Sequence, residues 1–240
     1  MSDTLLFAAI LIPCLIVAIV FHEVAHGWAA LALGDPTAKE QRRLSFNPIR
    51  HVDPVGTLLV PGALALFGGP VFGWAKPVPV NFRRLDNPRT GMMLVGAAGP
   101  GMNFLLATIA AVALGLTLTA GSSVGLAENG LPTIFAADGT ASLLGTGLIV
   151  FILINTFLGL FNLLPIPPFD GSHIVEGLLP RGMAAQYAKL RNVGMLFFVV
   201  LIAATWAFPD ADLIGRVIGP PVDWALNLFL SLAAAVAGGG

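Results

Sequence analysis

The chain has 240 residues and a formal net charge of −1, with 56% hydrophobic residues and only 10% charged residues. An ordinary soluble domain carries about 25% charged residues, and a soluble protein of this size still needs a polar surface. The composition therefore excludes an ordinary water-soluble domain, and the near-neutral charge gives no support for nucleic acid as a partner.

Five long apolar runs are predicted to be helices that cross a lipid bilayer, for which about 20 apolar residues are needed. They are residues 5–33, 91–120, 142–164, 193–208 and 217–236. The first run follows no basic segment and is too long for a cleaved signal peptide, so it is predicted to be a permanent membrane helix. The sequence thus predicts an all-α polytopic membrane protein in which residues 1–240 form a single integral-membrane domain.

The first run contains ionisable residues, which are costly inside a membrane helix and therefore indicate function. They form the sequence His22-Glu23-Val24-Ala25-His26. Residues i and i+4 lie on one face of a helix, so both imidazoles can bind one metal ion. Glu23 can accept a proton from a water that the metal activates. The motif predicts a metal site with His22 and His26 as ligands and Glu23 as the base.

Residues 56–72 form a shorter apolar run that glycine and proline interrupt. Irregular backbone at membrane depth is tolerated only where it lines a cavity or is packed by protein. We therefore predict a re-entrant or β-hairpin element that enters and leaves on the same side of the membrane. His51, in the basic loop before this run, is interpreted as a surface or turn residue.

The distribution of basic residues predicts the orientation in the membrane. Eight of the twelve Lys and Arg residues lie in residues 39–89 and three in residues 181–191, whereas residues 121–141 contain none. Loops rich in Lys and Arg stay on the cytoplasmic side. The regions 34–90 and 165–191 are therefore predicted to be cytoplasmic, and the 121–141 loop to lie on the far side.

A third protein ligand is expected, because catalytic zinc usually has three protein ligands and one open position. Asp170, His173 and Glu176 are the candidates, and for His173 a local structural role is favoured. We favour Asp170 because prolines at 165–168 end the preceding helix and hold an extended segment, and Gly171 allows a sharp turn directly after the carboxylate. The alternative is a solvated aspartate in a plain turn. By the predicted orientation, Asp170 and the two histidines lie toward the same, cytoplasmic face.

These motifs together resemble the site-2 protease family of intramembrane metalloproteases. That family pairs His-Glu-x-x-His on one helix with Asn-x-x-Pro-x-x-x-x-Asp-Gly on a later one, and both patterns occur here, at residues 22–26 and 162–171. Two further family-like elements are Gly-Pro-Gly-Met-Asn at 99–103 and Gly-Trp-Ala-Lys-Pro-Val-Pro-Val at 73–80. The resemblance covers roughly residues 15–180 and points to a compact branch of the family without soluble regulatory domains.

The resemblance implies one zinc ion per chain and a set of site residues. The implied zinc ligands are His22, His26 and Asp170, the general base is Glu23, and the residues close to the site are Asn103 and Asn162. An asparagine amide can donate to the oxyanion that forms when water attacks a carbonyl. It can equally hydrogen-bond a neighbouring helix, and both interpretations stay open for the two asparagines.

The implied reaction is hydrolysis of peptide bonds in or near transmembrane segments of other membrane proteins, which would make those proteins and the lipid bilayer the partners. A substrate helix must unwind before cleavage, and its freed backbone groups need new partners. Valine and proline alternate at 77–80, which suits an edge strand. The segment 73–80 is therefore predicted to receive the substrate as an added strand, or else to pair only within the protein.

Two other functions were weighed against proteolysis. A zinc or ion transporter also places His and Glu within spans, but it needs a path to both sides, and the sequence shows no second ion cluster toward residues 121–141. An inactive membrane scaffold would be expected to have lost a ligand or the base, and here none is lost. A divalent ion other than zinc also fits the ligands, and the oligomeric state is left open.

Overall fold

The structure is a computed structural model, and it describes residues 3–66, 74–127, 130 and 132–238. The described residues are mainly helical, as the sequence predicts. The helices are α1 (Asp3–Ala32), α2 (Thr37–Glu40), α3 (Val60–Leu66), α4 (Pro88–Thr117), α5 (Leu143–Asn162), α6 (Gly171–Leu178), α7 (Arg181–Tyr187), α8 (Arg191–Ala207) and α9 (Leu213–Val236). Short 3-10 turns lie at Pro48–His51, Phe82–Arg84, Ala188–Leu190 and Pro209–Ala211, and a π-helical turn lies at Pro54–Leu59.

Several of these helices are long and apolar enough to cross a membrane. Within the described residues they are Ala8–Ala32, Pro88–Thr117, Leu143–Asn162 and Ile214–Val236, with a fifth span if the bent pair Arg181–Gly194 and Leu196–Thr205 counts as one. Large apolar side chains lie exposed along them, as on α9, where 70% of Trp224 is accessible. Helices that are apolar on their exposed faces are typical of membrane spans. The predicted polytopic, mainly helical membrane fold is therefore confirmed.

Contacts divide the chain into two compact units, each assembled from separate parts of the sequence. The first unit contains Met1–Ala18, Met102–Leu160 and Ile218–Gly240. Its core is built from α4, α5 and α9, and includes Leu114, Ile149 and Phe229. The prediction of a single domain is not tested by this division and stays a prediction.

A small sheet in the first unit occupies the region between α4 and α5. Its strands β1 (Ser123–Leu126), β2 (Pro132–Phe135) and β3 (Ala141–Ser142) pair antiparallel in the order β1-β2-β3. Ile134 is buried, and a Cβ on Gly145 at the start of α5 would lie 2.9 Å from the Ile134 Cβ. The sheet therefore packs directly on the end of α5.

The second unit contains Ile19–Gly101 and Phe161–Val217. The two ends of the predicted re-entrant region meet in it, because the Trp74 N–H donates to the Gly56 carbonyl at 3.0 Å and the Thr57 hydroxyl donates to the Trp74 carbonyl at 2.9 Å. A segment that enters and leaves the membrane on the same side must bring its two ends close together, and these hydrogen bonds join them. The described part is helical up to Leu66 and contains neither helix nor strand over 74–80, and residues 67–73 lie outside the described part of the chain.

His51 does lie in a turn, Pro48–His51, but the alternative that it is a surface residue is wrong. His51 is only 3% exposed rather than a surface residue. Its Nε2 donates to the Ser45 carbonyl at 2.7 Å, and its own carbonyl accepts from Lys76 N–H at 2.8 Å. The ring is buried because the 74–80 segment lies against this loop, a long-range contact that the local sequence does not encode.

Candidate metal centre

Two histidines of α1 point their ring nitrogens at one another. His22 and His26 are 7% and 8% exposed, and their Nε2 atoms lie 3.1 Å apart. Nδ1 of His26 lies 2.7 Å from the Val95 carbonyl oxygen of α4. Because a carbonyl only accepts, this Nδ1 carries the proton, and in the neutral form of the ring the lone pair is then on Nε2. That is the tautomer a metal ligand needs, with the ring fixed by its second nitrogen.

Asp170 reaches the same point from the turn between α5 and α6. Its Oδ2 lies 3.1 Å from Nε2 of His22 and 3.2 Å from Nε2 of His26. Residues 163–170 form a series of turns and bends rather than the extended segment that the prolines predicted. Burial raises the pKa of the Asp170 carboxyl, but the two imidazoles lower it by more, so the net shift is downward. The carboxylate is therefore ionised and able to bind a cation.

Gly171 fixes this turn by allowing an unusually close approach of backbone. A Cβ at Gly171 would lie 2.2 Å from the Leu163 carbonyl oxygen and 2.5 Å from that of Leu164. No side chain fits there, since backbone on both sides would have to move. The sharp turn predicted after Asp170 is thus present, and it depends on glycine for space.

One face of α4 lies against the ligands. Val95 and Gly99 are four residues apart and so share a helix face, and both contact His26. A Cβ at Gly99 would lie 2.4 Å from Nε2 of His26 and 2.6 Å from Cε1 of His22. A Cβ at Gly96 would lie 3.0 Å from the Asp170 carbonyl oxygen. Small residues on α4 therefore give the three ligands their room.

The three ligand atoms fit a metal ion. In a tetrahedral zinc site with bonds of about 2.0–2.1 Å, two ligand atoms lie about 3.3 Å apart, close to the 3.1–3.2 Å separations seen here. Oδ2 of Asp170 is buried without a hydrogen bond to any described residue. A buried carboxylate oxygen without a hydrogen bond is unfavourable unless a cation lies beside it. Two imidazoles and a carboxylate are a common catalytic zinc set.

The general-base candidate is anchored outside the ligand cluster. Glu23 Oε2 accepts a hydrogen bond of 2.8 Å from the backbone N–H of Val78. The segment carrying Val78 is itself held by the buried Arg43, whose guanidinium donates to the carbonyls of Lys76 at 2.7 Å and Pro77 at 3.3 Å. A few residues on, the Asn81 N–H donates to the fully buried Asp35 carboxylate at 2.6 Å. These contacts, which sequence reasoning missed, fix where Glu23 lies.

The other predicted site residues have different surroundings. Asn103 is fully buried in the first unit, where its amide donates to Asn155 Oδ1 at 2.9 Å and to the Ala18 carbonyl at 3.4 Å. Asn162 is partly buried at the end of α5. Asn155 was missed, although a polar residue inside an apolar run was a signal for it. The catalytic roles of Asn103 and Asn162 stay predictions.

The remaining candidate ligands do not join the cluster of three. Glu176 pairs with Arg191, and the pKa of His173 is lowered by burial and by the nearby Arg191. Among the described residues, the group of His, Cys, Asp and Glu side chains that could hold a metal is His22, His26 and Asp170.

Comparison with known proteins agrees with this geometry. The model of peptidase family M50 matches residues 10–204. YwhC of Bacillus subtilis (strain 168), named as a candidate zinc metalloprotease, is 41% identical over 192 residues, which is 80% of this chain and 78% of that protein. Rip2 of Mycolicibacterium smegmatis (strain ATCC 700084 / mc(2)155), named in the same way, is 25% identical over 75% of this chain and 61% of its own length. No solved structure matches the chain significantly. The chain therefore belongs to peptidase family M50, the site-2 protease family of zinc metalloproteases.

Proposed function

We propose that this chain is an intramembrane zinc endopeptidase that cleaves peptide bonds in or near transmembrane segments of other membrane proteins. The observation that carries the proposal is the convergence of His22, His26 and Asp170 within 3.1–3.2 Å of one another, beside a carboxylate on the same helix. These three residues would hold one zinc ion per chain. Zinc, when bound, polarises the scissile carbonyl and lowers the pKa of a water from about 15.7 to about 7.

Glu23 is the proton carrier in this proposal. Its carboxylate takes the proton from the attacking water and later gives it to the amine of the leaving fragment. The Val78 N–H holds one oxygen of Glu23 at 2.8 Å, which leaves the other oxygen to face the reacting water. Asn162 is proposed as an oxyanion donor. The same role was predicted for Asn103, but its contacts with Asn155 and Ala18 favour a role in helix packing.

The segment 74–80 is proposed to align the substrate as an added strand. Pro77 and Pro79 have no N–H, so one edge of the segment offers few donors. On the other edge Val78 donates to Glu23, and the Val80 N–H makes no hydrogen bond with the described residues. Val80 thus offers a free donor two residues beyond the one that holds the general base. Val80→Pro should raise KM for cleavage while Val80→Ala should not, and equal KM values would end this part of the proposal.

The site is proposed to open toward the cytoplasm. The orientation follows from the eight Lys and Arg residues at 39–89 and the three at 181–191, because such loops stay on the cytoplasmic side. Labelling of single cysteines introduced at exposed Arg50 and Thr140, in a Cys14→Ala background, would test it in intact cells. Only the Thr140 variant should react with a reagent that does not cross the membrane.

Zinc content and cleavage together test the function. Purified in detergent, the natural chain should contain about one zinc, and Asp170→Ala should lose most of it because one of three ligands is gone. Glu23→Gln should retain zinc and lose cleavage of a solubilised membrane-protein mixture, followed as new peptide termini by mass spectrometry. Retained zinc in Asp170→Ala would refute the three-ligand site, and equal cleavage by Glu23→Gln would refute its role as base.

A further inference from the structure

A cavity in the second unit is lined in part by α6, the helix that directly follows Asp170. It has a volume of about 540 Å³, and its charged and polar walls are Arg89, Arg181, Arg191, Glu176 and His173. We call it the arginine pocket. It gathers three of the chain's twelve Lys and Arg residues against one carboxylate, so its charge is positive overall.

Two of the three guanidinium groups have no carboxylate partner among the described residues. Arg191 pairs with Glu176. Arg89 donates to the Leu179 carbonyl, and its Nε is buried without a hydrogen bond. Arg181 makes no hydrogen bond or ion pair with the described part of the chain. Arg89 is partly buried, where positive charge without a counter-ion is unfavourable, and Arg181 is exposed and unpaired at the rim. The pocket is therefore suited to an anion, and guanidinium groups match a carboxylate well.

The pocket adjoins both parts of the catalytic machinery. His173 follows the ligand Asp170 by three residues on α6, and the apolar part of the lining includes Val80 and Phe82. Val80 lies two residues beyond Val78, whose N–H holds Glu23. Two residues of extended chain span about 6.6 Å. A peptide aligned along 74–80 would therefore bring a side chain to the pocket within a few residues of its cleaved bond.

We propose that the arginine pocket binds an acidic side chain of the substrate, Asp or Glu, located within about three residues of the scissile bond. The inference rests on the proposed proteolysis and on alignment along 74–80. A substrate carboxylate suits the pocket better than a lipid headgroup because part of its wall comes from α6, which directly follows the ligand Asp170, and part from Val80, which lies two residues beyond the contact with the base. The apolar residues Val80 and Phe82 match the methylene groups of a short acidic side chain.

A peptide library tests this selectivity directly. The probe is a mixture of synthetic 12-residue peptides with random central positions, presented to the zinc-loaded chain in detergent. In one arm the cleaved products are sequenced, and in the other the peptides retained on the immobilised chain are sequenced. Asp and Glu should be enriched at one position within three residues of the cut, and the same residues should be enriched among the retained peptides.

Variants of Arg181 separate a binding role from a structural one. Arg181→Gln should lower kcat/KM for acidic peptides about tenfold and leave neutral peptides unchanged. Arg181→Glu should reverse the preference toward Lys and Arg, a result that mere disturbance of folding cannot give. The matched control is Arg83→Glu, which makes the same charge change on an exposed residue outside the pocket and should keep the natural preference.

The outcomes distinguish this inference from the proposed function. If the natural chain cleaves nothing, proteolysis fails, and the retained peptides still decide whether the pocket selects acids. Cleavage without acidic enrichment, or enrichment that Arg181→Glu leaves unchanged, overturns the pocket assignment. If Arg181→Glu instead abolishes binding of the chain to phosphatidylglycerol vesicles and leaves peptide preference intact, the pocket takes a lipid phosphate and the inference is wrong.

Discussion

Gly99→Ala provides the sharpest test of how α4 shapes the metal centre. The new methyl group would lie 2.4 Å from Nε2 of His26 and 2.6 Å from Cε1 of His22. Non-bonded heavy atoms prefer separations of about 3.5–4.0 Å, so each ring would have to move by about 1 Å. Metal bonds tolerate only about 0.2 Å. We therefore expect zinc affinity to fall about 100-fold or more, because two of the three ligands are displaced together.

The assay is competition for zinc with a chelating indicator, and the matched control is Gly101→Ala. Gly101 lies on the same helix two residues later, and a Cβ there would meet nothing within 4 Å. Both variants gain a similar helix preference, since alanine is favoured over glycine by about 0.5–1 kcal/mol in a helix. Gly101→Ala should therefore bind zinc like the natural chain. Thermal unfolding in the presence of a chelator shows whether each variant remains folded.

An equal zinc affinity for Gly99→Ala, Gly101→Ala and the natural chain would refute the reasoning. It would mean that α4 does not lie against the imidazoles as the structure has it, or that the helix shifts at little cost. A loss of affinity in both variants would also contradict it, because the effect would then follow from altered helix flexibility rather than from the clash with His26.

Three further outcomes follow from the same contacts. Gly171→Ala should lose zinc binding and unfold at lower temperature, because its Cβ would lie 2.2 Å from a backbone oxygen. The control Gly182→Ala should change neither property, because its Cβ would meet nothing within 4 Å. Asp35→Ala removes the acceptor of three hydrogen bonds, from Thr37 N–H, Thr37 Oγ1–H and Asn81 N–H. Unfolding in detergent should show a loss of about 2–4 kcal/mol of stability, and an unchanged unfolding midpoint would show that these bonds contribute little. Zinc removal with a chelator should lower the unfolding temperature, by an amount that grows with the zinc concentration used for comparison, and should not do so in Asp170→Ala.

The site could be predicted from sequence where its residues are local or follow from membrane chemistry. His22, Glu23 and His26 lie within one and a half helical turns, and ionisable groups in an apolar helix carry a cost that indicates function. Asp170 followed from the need for a third ligand and from the distribution of basic residues, although it lies 144 residues beyond His26. Both predictions depend on the spacing of residues along the chain and on the distribution of charge across a membrane. Neither requires knowledge of a tertiary contact.

The supporting contacts could not be predicted, because they depend on which backbone atoms meet in space. Nothing in the sequence indicates that the Val95 carbonyl binds His26 or that the Val78 N–H binds Glu23. His51 was misjudged for the same reason: it stands in a basic loop but is covered by the 74–80 segment. The strands at 123–142 are only two to four residues long, too short for alternation to stand out from chance.

The arrangement around Glu23 suggests why the base and the substrate segment belong to one structural unit. Arg43 and Asp35 hold the two ends of residues 76–81 through charged hydrogen bonds, and Val78 in the middle holds the carboxylate of Glu23. Charge-assisted bonds are stronger than neutral ones, so the segment is fixed at both ends before substrate arrives. The base is therefore placed by the same backbone along which the peptide is proposed to align, and misplacing one would misplace the other.

The hydrogen bonds near the ligands show which polar groups the protein itself satisfies and which one needs a bound metal. The Nδ1 atom of His26 has the Val95 carbonyl, and Glu23 has the Val78 N–H, so these groups are satisfied by the chain alone. Oδ2 of Asp170 is buried without a hydrogen bond to the described residues, although it faces two imidazole nitrogens. Leaving a buried carboxylate oxygen unpaired costs free energy that a bound cation would recover. Among these three groups, the fold satisfies the two on α1 and leaves Asp170 Oδ2 for the metal, so zinc binding and stability should rise and fall together.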